Sequence, residues 1–223
     1  MERQRHVMVI LPHPDDETLA CGGTMALYRQ AGTPVTVVCG TLGEMGRNMG
    51  KPPIASRESL PALREQELRE ACSLLGVADV RLMGLRDKTI EFLDPDWLAG
   101  RIRTLIDEVR PSLVITYHPL YSVHPDHMAM GAAVIRAVGS MPAAERPPVH
   151  MRAFGSGLKN LGPPDLVVDA TPVLALKMTA AAAHRSQTQA SLARMEARAA
   201  EDPTFKEQML RQRSQESYWF HTF

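Results

Sequence analysis

Four runs of almost uninterrupted apolar residues, with helical spacing in most of the stretches between them, limit this chain more than any other feature. HVMVIL at 6–11, VTVVCGT at 35–41, VRLMGL at 80–85 and SLVITY at 112–117 lack the in-and-out alternation of a half-solvated strand. The first reads as a strand covered on both faces, and the other three read as strands. Between the first two, Leu19 through Gln30 reads as a helix that Gly32 ends. Leu60, Leu63, Leu68, Ala71, Leu74 and Leu75 then fall mostly on one helical face, with a stop at Gly76. Asp94 and Pro95 have the look of an N-cap and first helical residue, followed by the stripe Leu98, Ile102, Leu105, Ile106 and Val109 up to Pro111. A further helix is expected from about His127 to Val138, then short strands at 150–154 and 166–170, then a long alanine-rich helical tail from about Pro172. This alternation predicts an α/β fold, a mostly parallel sheet with helices on both faces. At 223 residues the chain suits a single domain over 1–223.

Composition removes several function classes. The 25 basic and 25 acidic residues cancel, which argues against a general nucleic-acid or anionic-membrane surface. The first apolar run is too short for a secretion signal or a membrane span. Cys21, Cys39 and Cys72 have no C-x-x-C spacing, so neither a disulfide framework nor a cysteine zinc site is indicated, and a reducing, cytoplasmic setting is expected.

In parallel sheets ligands gather outside the carboxyl ends of the strands. Two stretches begin there: LPHPDDETLACGG after the first strand and YHPLYSVHPDH after the fourth. Alone, His13-Pro14-Asp15-Asp16-Glu17 is explained about as well by an ordinary acidic helix start. That leaves a histidine and a second carboxylate unexplained at the dry end of a strand. His124-Pro125-Asp126-His127 repeats the theme after a different strand, and a metal is the economical reason for both. Two imidazoles and one carboxylate suit a catalytic Zn²⁺ with an open position for water, whose pKa falls there from ~15.7 to roughly 7. If His13, Asp16 and His127 bind the ion, Asp15, His124 and Asp126 stay beside it. Asp15 is then placed to shuttle protons, and His124, held protonated by Asp126, to stabilise an oxyanion. That set describes hydrolysis of an amide or ester. The same donors also describe an Fe(II) oxygenase triad, against which the β-α alternation counts, or a non-catalytic sugar-binding module, which has no need of Asp15 and His124.

The motifs HPDDE at 13–17 and HPDH at 124–127, with GEMG at 43–46, REQELREACSLLGV at 64–77 and KMTAAAAHRSQ at 177–187, resemble the LmbE-like or PIG-L-like N-acetylglucosaminyl deacetylases. The resemblance implies a Rossmann-like three-layer sandwich, zinc (or another divalent metal such as Fe²⁺) on His13, Asp16 and His127, and Asp15 as general base and acid. It implies removal of an acetyl group from a small N-acetylglucosaminide, and no nucleic-acid or membrane partner. GTLGEMGRNMG, GLRDKT and AHRSQT look most like the second subgroup of bacillithiol-biosynthesis deacetylases, which act on N-acetylglucosaminyl malate. Other relatives are amidases of thiol S-conjugates, and members are often homo-oligomers. By alignment Arg64 and Glu44 fall where the family contacts substrate; against this stand a solvated helix arginine and an ordinary loop acid. Where some relatives carry an extra donor for the carbonyl oxygen, this chain has Ser122 and Val123, so Tyr121 is expected to substitute or His124 to act alone. His118 is expected to be a strand-end histidine with a local hydrogen bond. His184 is expected to dock a helix, Gly43 to Ser56 to form a mobile loop over the rim, and YWFHTF to clamp the terminus.

Overall fold

The computed structural model describes residues 2–47 and 49–223. Among them one sheet holds β1 (Val7–Leu11), β2 (Val35–Thr41), β3 (Asp79–Leu85), β4 (Leu113–Tyr117), β5 (Val149–Arg152), β6 (Leu166–Asp169) and β7 (Gln215–Phe220), in the order β3-β2-β1-β4-β5-β7-β6. β1 to β5 run parallel, while β7 lies antiparallel to both β5 and β6.

The apolar runs follow from where the helices lie. Val7, Val9 and Leu11 of β1 pack with α1 (Asp16–Gln30), α2 (Leu60–Leu74) and α5 (Leu174–Ala183). Met8 and Ile10 point to the other side, against α3 (Pro95–Val109) and α4 (Pro125–Gly139). Three layers result, and all five β1 side chains are at most 1% exposed. Each such burial is worth about 1.5–3 kcal/mol, so a polar residue anywhere in β1 would be costly. The strand order turns back between β1 and β4, which opens a crevice at their carboxyl ends.

Four expectations about the elements change. α1 begins at Asp16 rather than Leu19, and α4 at Pro125 rather than His127, because the acidic residues after each strand form the first helical turn. The tail is three helices, α5, α6 (Arg185–Glu201) and α7 (Pro203–Ser214), broken at His184 and at Asp202, whose Oδ1 caps the Phe205 amide at 2.9 Å. YWFHTF goes beyond clamping a terminus: its first half belongs to β7, which brings Tyr218 and Trp219 into the core. Asn48, inside the expected rim loop, lies outside the described residues. Around it, Gly50 N–H donates to the Ser186 carbonyl (3.1 Å) and Lys51 N–H to Gln189 Oε1 (3.1 Å), tying that loop to α6.

Candidate active site

The turn from β1 into α1 carries His13, Pro14 and Asp15, and the turn from β4 into α4 lands beside it because β1 and β4 are paired neighbours. Gly131 lets α4 seat closely, since a Cβ there would collide with the Tyr117 carbonyl oxygen. The first turn of α4, with Asp126 and His127, thereby reaches the rim.

Three donor side chains converge in that crevice. His13 Nδ1 and His127 Nε2 are 3.2 Å apart, His127 Nε2 is 3.3 Å from Asp16 Oδ1, and His13 Nδ1 is 3.4 Å from Asp16 Oδ2. All three side chains are buried, and as a set they offer one carboxylate and two imidazole nitrogens to a single cation.

A second ring of contacts aims these donors. Tyr117 donates its hydroxyl to Asp16 Oδ1 (2.7 Å), and the His13 amide donates to Asp16 Oδ2 (2.9 Å). Ser122 Oγ sits 3.1 Å from His127 Nδ1, leaving Nε2 for an ion. His13 Nε2 lies 3.1 Å from Asp87 Oδ1 and 3.1 Å from Asp126 Oδ2. Asp126 is fixed in turn by the amides of Lys88 (2.7 Å) and Ile90 (3.1 Å). A ligand histidine whose far nitrogen meets a carboxylate has its tautomer and ring orientation set.

Charge tests the fit of a cation. Burial opposes a charged His13, yet its bonds to Asp126, Asp16 and Asp87 push it up to about 11. Burial likewise opposes a charged Asp16, while His127 and His13 hold it well below the usual carboxylate range. The crevice thus carries more negative than positive charge, and a proton on His13 does what a divalent cation would do better. With a cation on Nδ1, His13 is neutral and its Nε2–H serves Asp126 and Asp87. The donor set fits a divalent metal.

Asp15 stands next to this cluster and outside it. Burial, joined by the Asp16 charge and against the pull of Arg64, raises its carboxyl to about 6. Arg64 is 4% exposed, so it is no solvated helix arginine. Its guanidinium donates to the carbonyls of Pro14 and Gly43 (3.0 Å to the latter) and lies 3.3 Å from Asp15 Oδ2. Glu44 uses one carboxylate oxygen to accept from the Asp87 amide (3.1 Å), and the Met45 amide answers by donating to Asp87 Oδ2 (2.9 Å).

His124 differs from expectation in its partner. Its Nδ1 accepts from the Asp126 backbone amide at 3.1 Å, whereas the Asp126 carboxylate is 4.0 Å away and turned to His13. Burial and the neighbouring His13 lower His124 below its ordinary value, so at neutral pH it is an imidazole with its proton on Nε2. Tyr121 makes no hydrogen bond, ion pair or ring contact with the cluster among the described residues; its ring lies 4.8 Å from His118. His118 Nδ1 accepts from the Leu120 amide (3.1 Å), a local strand-end bond. His184, fully buried, joins the α5–α6 junction to Glu17.

Sequence reasoning did not single out Asp87 or Tyr117. Asp87 sits in GLRDKT, two residues past the carboxyl end of β3, the same rule that found the other two loops. Nothing in the sequence marks Tyr117, the last residue of its strand, as a partner of Asp16.

Comparison with known proteins places these residues in context. The GlcNAc-PI de-N-acetylase (PIG-L) family matches residues 8–138. A probable N-acetyl-α-D-glucosaminyl L-malate deacetylase 2 of Bacillus cereus is 51% identical over 190 residues, 85% of this chain and 86% of that protein. The protein of the same description from Bacillus subtilis is 48% identical over 194 residues, covering 86% and 88%. Among solved structures, the N,N'-diacetylchitobiose deacetylase of Pyrococcus horikoshii matches with a TM-score of 0.75 at 24% identity, over 98% of this chain and 84% of that one, a likeness of fold. No helix of the described residues is long and apolar enough to cross a membrane.

Proposed function

Because the chain belongs to the PIG-L family of de-N-acetylases, we propose that it hydrolyses the acetamide of a small N-acetylglucosaminide, with N-acetylglucosaminyl malate as its substrate and bacillithiol biosynthesis as its setting. The names of the Bacillus relatives support the malate. The observation that carries the reaction is Asp15, an acid raised to about 6 and one residue from a metal donor. A base with a pKa near the working pH is suited to both halves of amide hydrolysis.

His13, Asp16 and His127 would hold the metal, zinc by donor type, which when bound supplies a Lewis acid for the acetamide carbonyl and an acidified water. Asp15 takes the proton of the attacking water and returns it to the amide nitrogen as the C–N bond breaks, giving acetate and a free glucosamine amine. His124 donates from Nε2 to the carbonyl oxygen as that oxygen gains charge; the Asp126 amide on Nδ1 sets this tautomer without a protonated ring. Asp126 and Asp87 keep His13 oriented, and Arg64 holds Asp15 over the crevice. Glu44 and Tyr121, with Arg64, are the remaining candidates for sugar contacts. The three free, buried cysteines fit a reducing cytoplasmic setting.

Product analysis with N-acetylglucosaminyl malate tests the reading: acetate and primary amine should appear in equal amounts. Cleavage of a thiol S-conjugate amide with no amine released from any N-acetylglucosaminide would replace it. Metal analysis of the purified protein decides between zinc and iron.

A further inference from the structure

A carboxylate that shuttles protons must be held over the reacting centre, and the acid-base role proposed for Asp15 is the premise here. Asp15 has φ 114° and ψ −27°, a backbone conformation that L side chains rarely adopt. A non-glycine residue in such a region is strained and persists only when its surroundings over-determine it. Its carbonyl accepts from the Leu19 amide (3.0 Å) and the Thr18 hydroxyl (2.9 Å), and its own amide donates to Glu17 Oε2 at 3.0 Å. The first two are ordinary helix-start bonds; the third fixes the peptide whose φ is unusual.

Glu17 is 1% exposed, and a carboxylate so deep requires a partner. That partner is His184, 0% exposed, whose Nε2 lies 2.6 Å from Glu17 Oε1. Burial opposes a charged His184, yet Glu17 raises it above its ordinary value. Its other nitrogen, Nδ1, is buried with no hydrogen-bond partner among the described residues. Within that set Glu17 is therefore the one hydrogen-bonding contact of the His184 side chain. Had the α5–α6 junction needed only a plug, an apolar side chain would fill it without an orphaned nitrogen. Both carboxylate oxygens of Glu17 are committed, one to the imidazole and one to the Asp15 amide.

The geometry points to Glu17 and His184 as a positioning pair that holds the strained Asp15 backbone and so aims its carboxylate at the reacting centre. Neither side chain touches substrate. His184 acts through Glu17, 167 residues earlier in the chain, and Glu17 through the Asp15 peptide, so the α5–α6 junction sets the geometry of the turn that carries Asp15.

Two readouts test the pair. In metal-free protein, His184→Ala should lower the unfolding midpoint more in an Asp15→Gly background than with Asp15 present, because only a strained Asp15 can relax and offset part of the loss, whereas glycine adopts φ 114° without strain. In metal-loaded protein, His184→Ala should lower kcat roughly 10- to 100-fold with KM within about twofold and metal content unchanged, the scale of an ångström misplacement. His184→Gln, which keeps an N–H for Glu17, should recover most of that loss. Should the alanine variant not fold, His184→Gln and Glu17→Gln carry the same comparison with the Asp15→Gly cycle. Equal losses in the alanine and glutamine variants, or identical midpoint shifts in both backgrounds, would reduce the pair to a fold clamp and overturn the inference. Near-normal turnover in Asp15→Asn would instead overturn the reading of Asp15, and the metal-free cycle would still report on the pair.

Discussion

The hydroxyl of Tyr117 donates to Oδ1 of Asp16 at 2.7 Å, and the Tyr117 ring also lies nearly parallel over His127, with centroids 4.1 Å apart at 10°. One side chain at the end of β4 thus orients a donor from each of the two loops. Tyr117→Phe keeps the stacking and removes the hydroxyl. Its metal affinity should fall about 10- to 100-fold, the usual effect of losing an outer hydrogen bond to a ligand. Chelator competition measures this; an unchanged dissociation constant would show that Asp16 needs no such support.

His124→Ala tests the proposed oxyanion role of His124 apart from the proposed metal site. Its Nδ1 bonds to the backbone of Asp126, and Asp126 keeps its own contacts to His13, Lys88 and Ile90. Metal content should stay at the wild-type level while kcat falls roughly 10²- to 10³-fold. Asp126→Asn should do the reverse, weakening metal binding first, because it removes an acceptor from His13 Nε2.

Activity should rise with pH through the titration of Asp15. The folded carboxyl lies at about 6, so below that pH it is protonated and cannot accept a proton from water. Bound metal acts in the same direction as Arg64, so the acid limb of kcat/KM should lie at or below about pH 6 with a slope of one. Arg64→Met removes a charge that lowers Asp15 and should move the limb to higher pH. A limb that stays in place, or moves down, would show that Arg64 does not act on Asp15.

Stability at low pH should depend on Glu216, far from the chemistry. Fully buried on β7, it takes Lys177 Nζ at 2.6 Å, the amides of Gly23 (2.9 Å) and Thr24 (2.8 Å), and the Thr24 hydroxyl (2.5 Å). Burial opposes its charge, but Lys177 and Arg152 hold it below the usual glutamate value. A depressed folded pKa means stability present above the unfolded value of about 4.3 and lost as pH falls from there through the folded value. Glu216→Gln should cost about 3 kcal/mol at neutral pH by leaving Lys177 unpaired, and should flatten the loss of stability on acidification. Denaturant unfolding at neutral pH and near pH 4 gives both quantities.

Most of the sheet was legible because its signal is local: an apolar run of five to seven residues in a chain that alternates with helices has few other uses. The HPDDE loop was legible for the same reason, since His13 and Asp16 are three residues apart and meet within one turn. His127 required only that two strand ends share a rim, which follows from the parallel architecture. Less visible was β7, hidden in a tail of helical composition, because its pairing with β5 and β6 is favourable only after both are in place.

By itself, then, the sequence determined the layers, the two loops and which residue types could grip a cation, because these depend on spacing along a few turns of chain. Tertiary structure alone decided that Asp126 faces His13 rather than His124, that Asp87 and Tyr117 complete the donor shell, and that His184 meets Glu17. Each of those is a contact whose geometry exists only once distant segments pack to within a few tenths of an ångström, and no local preference of either residue records it.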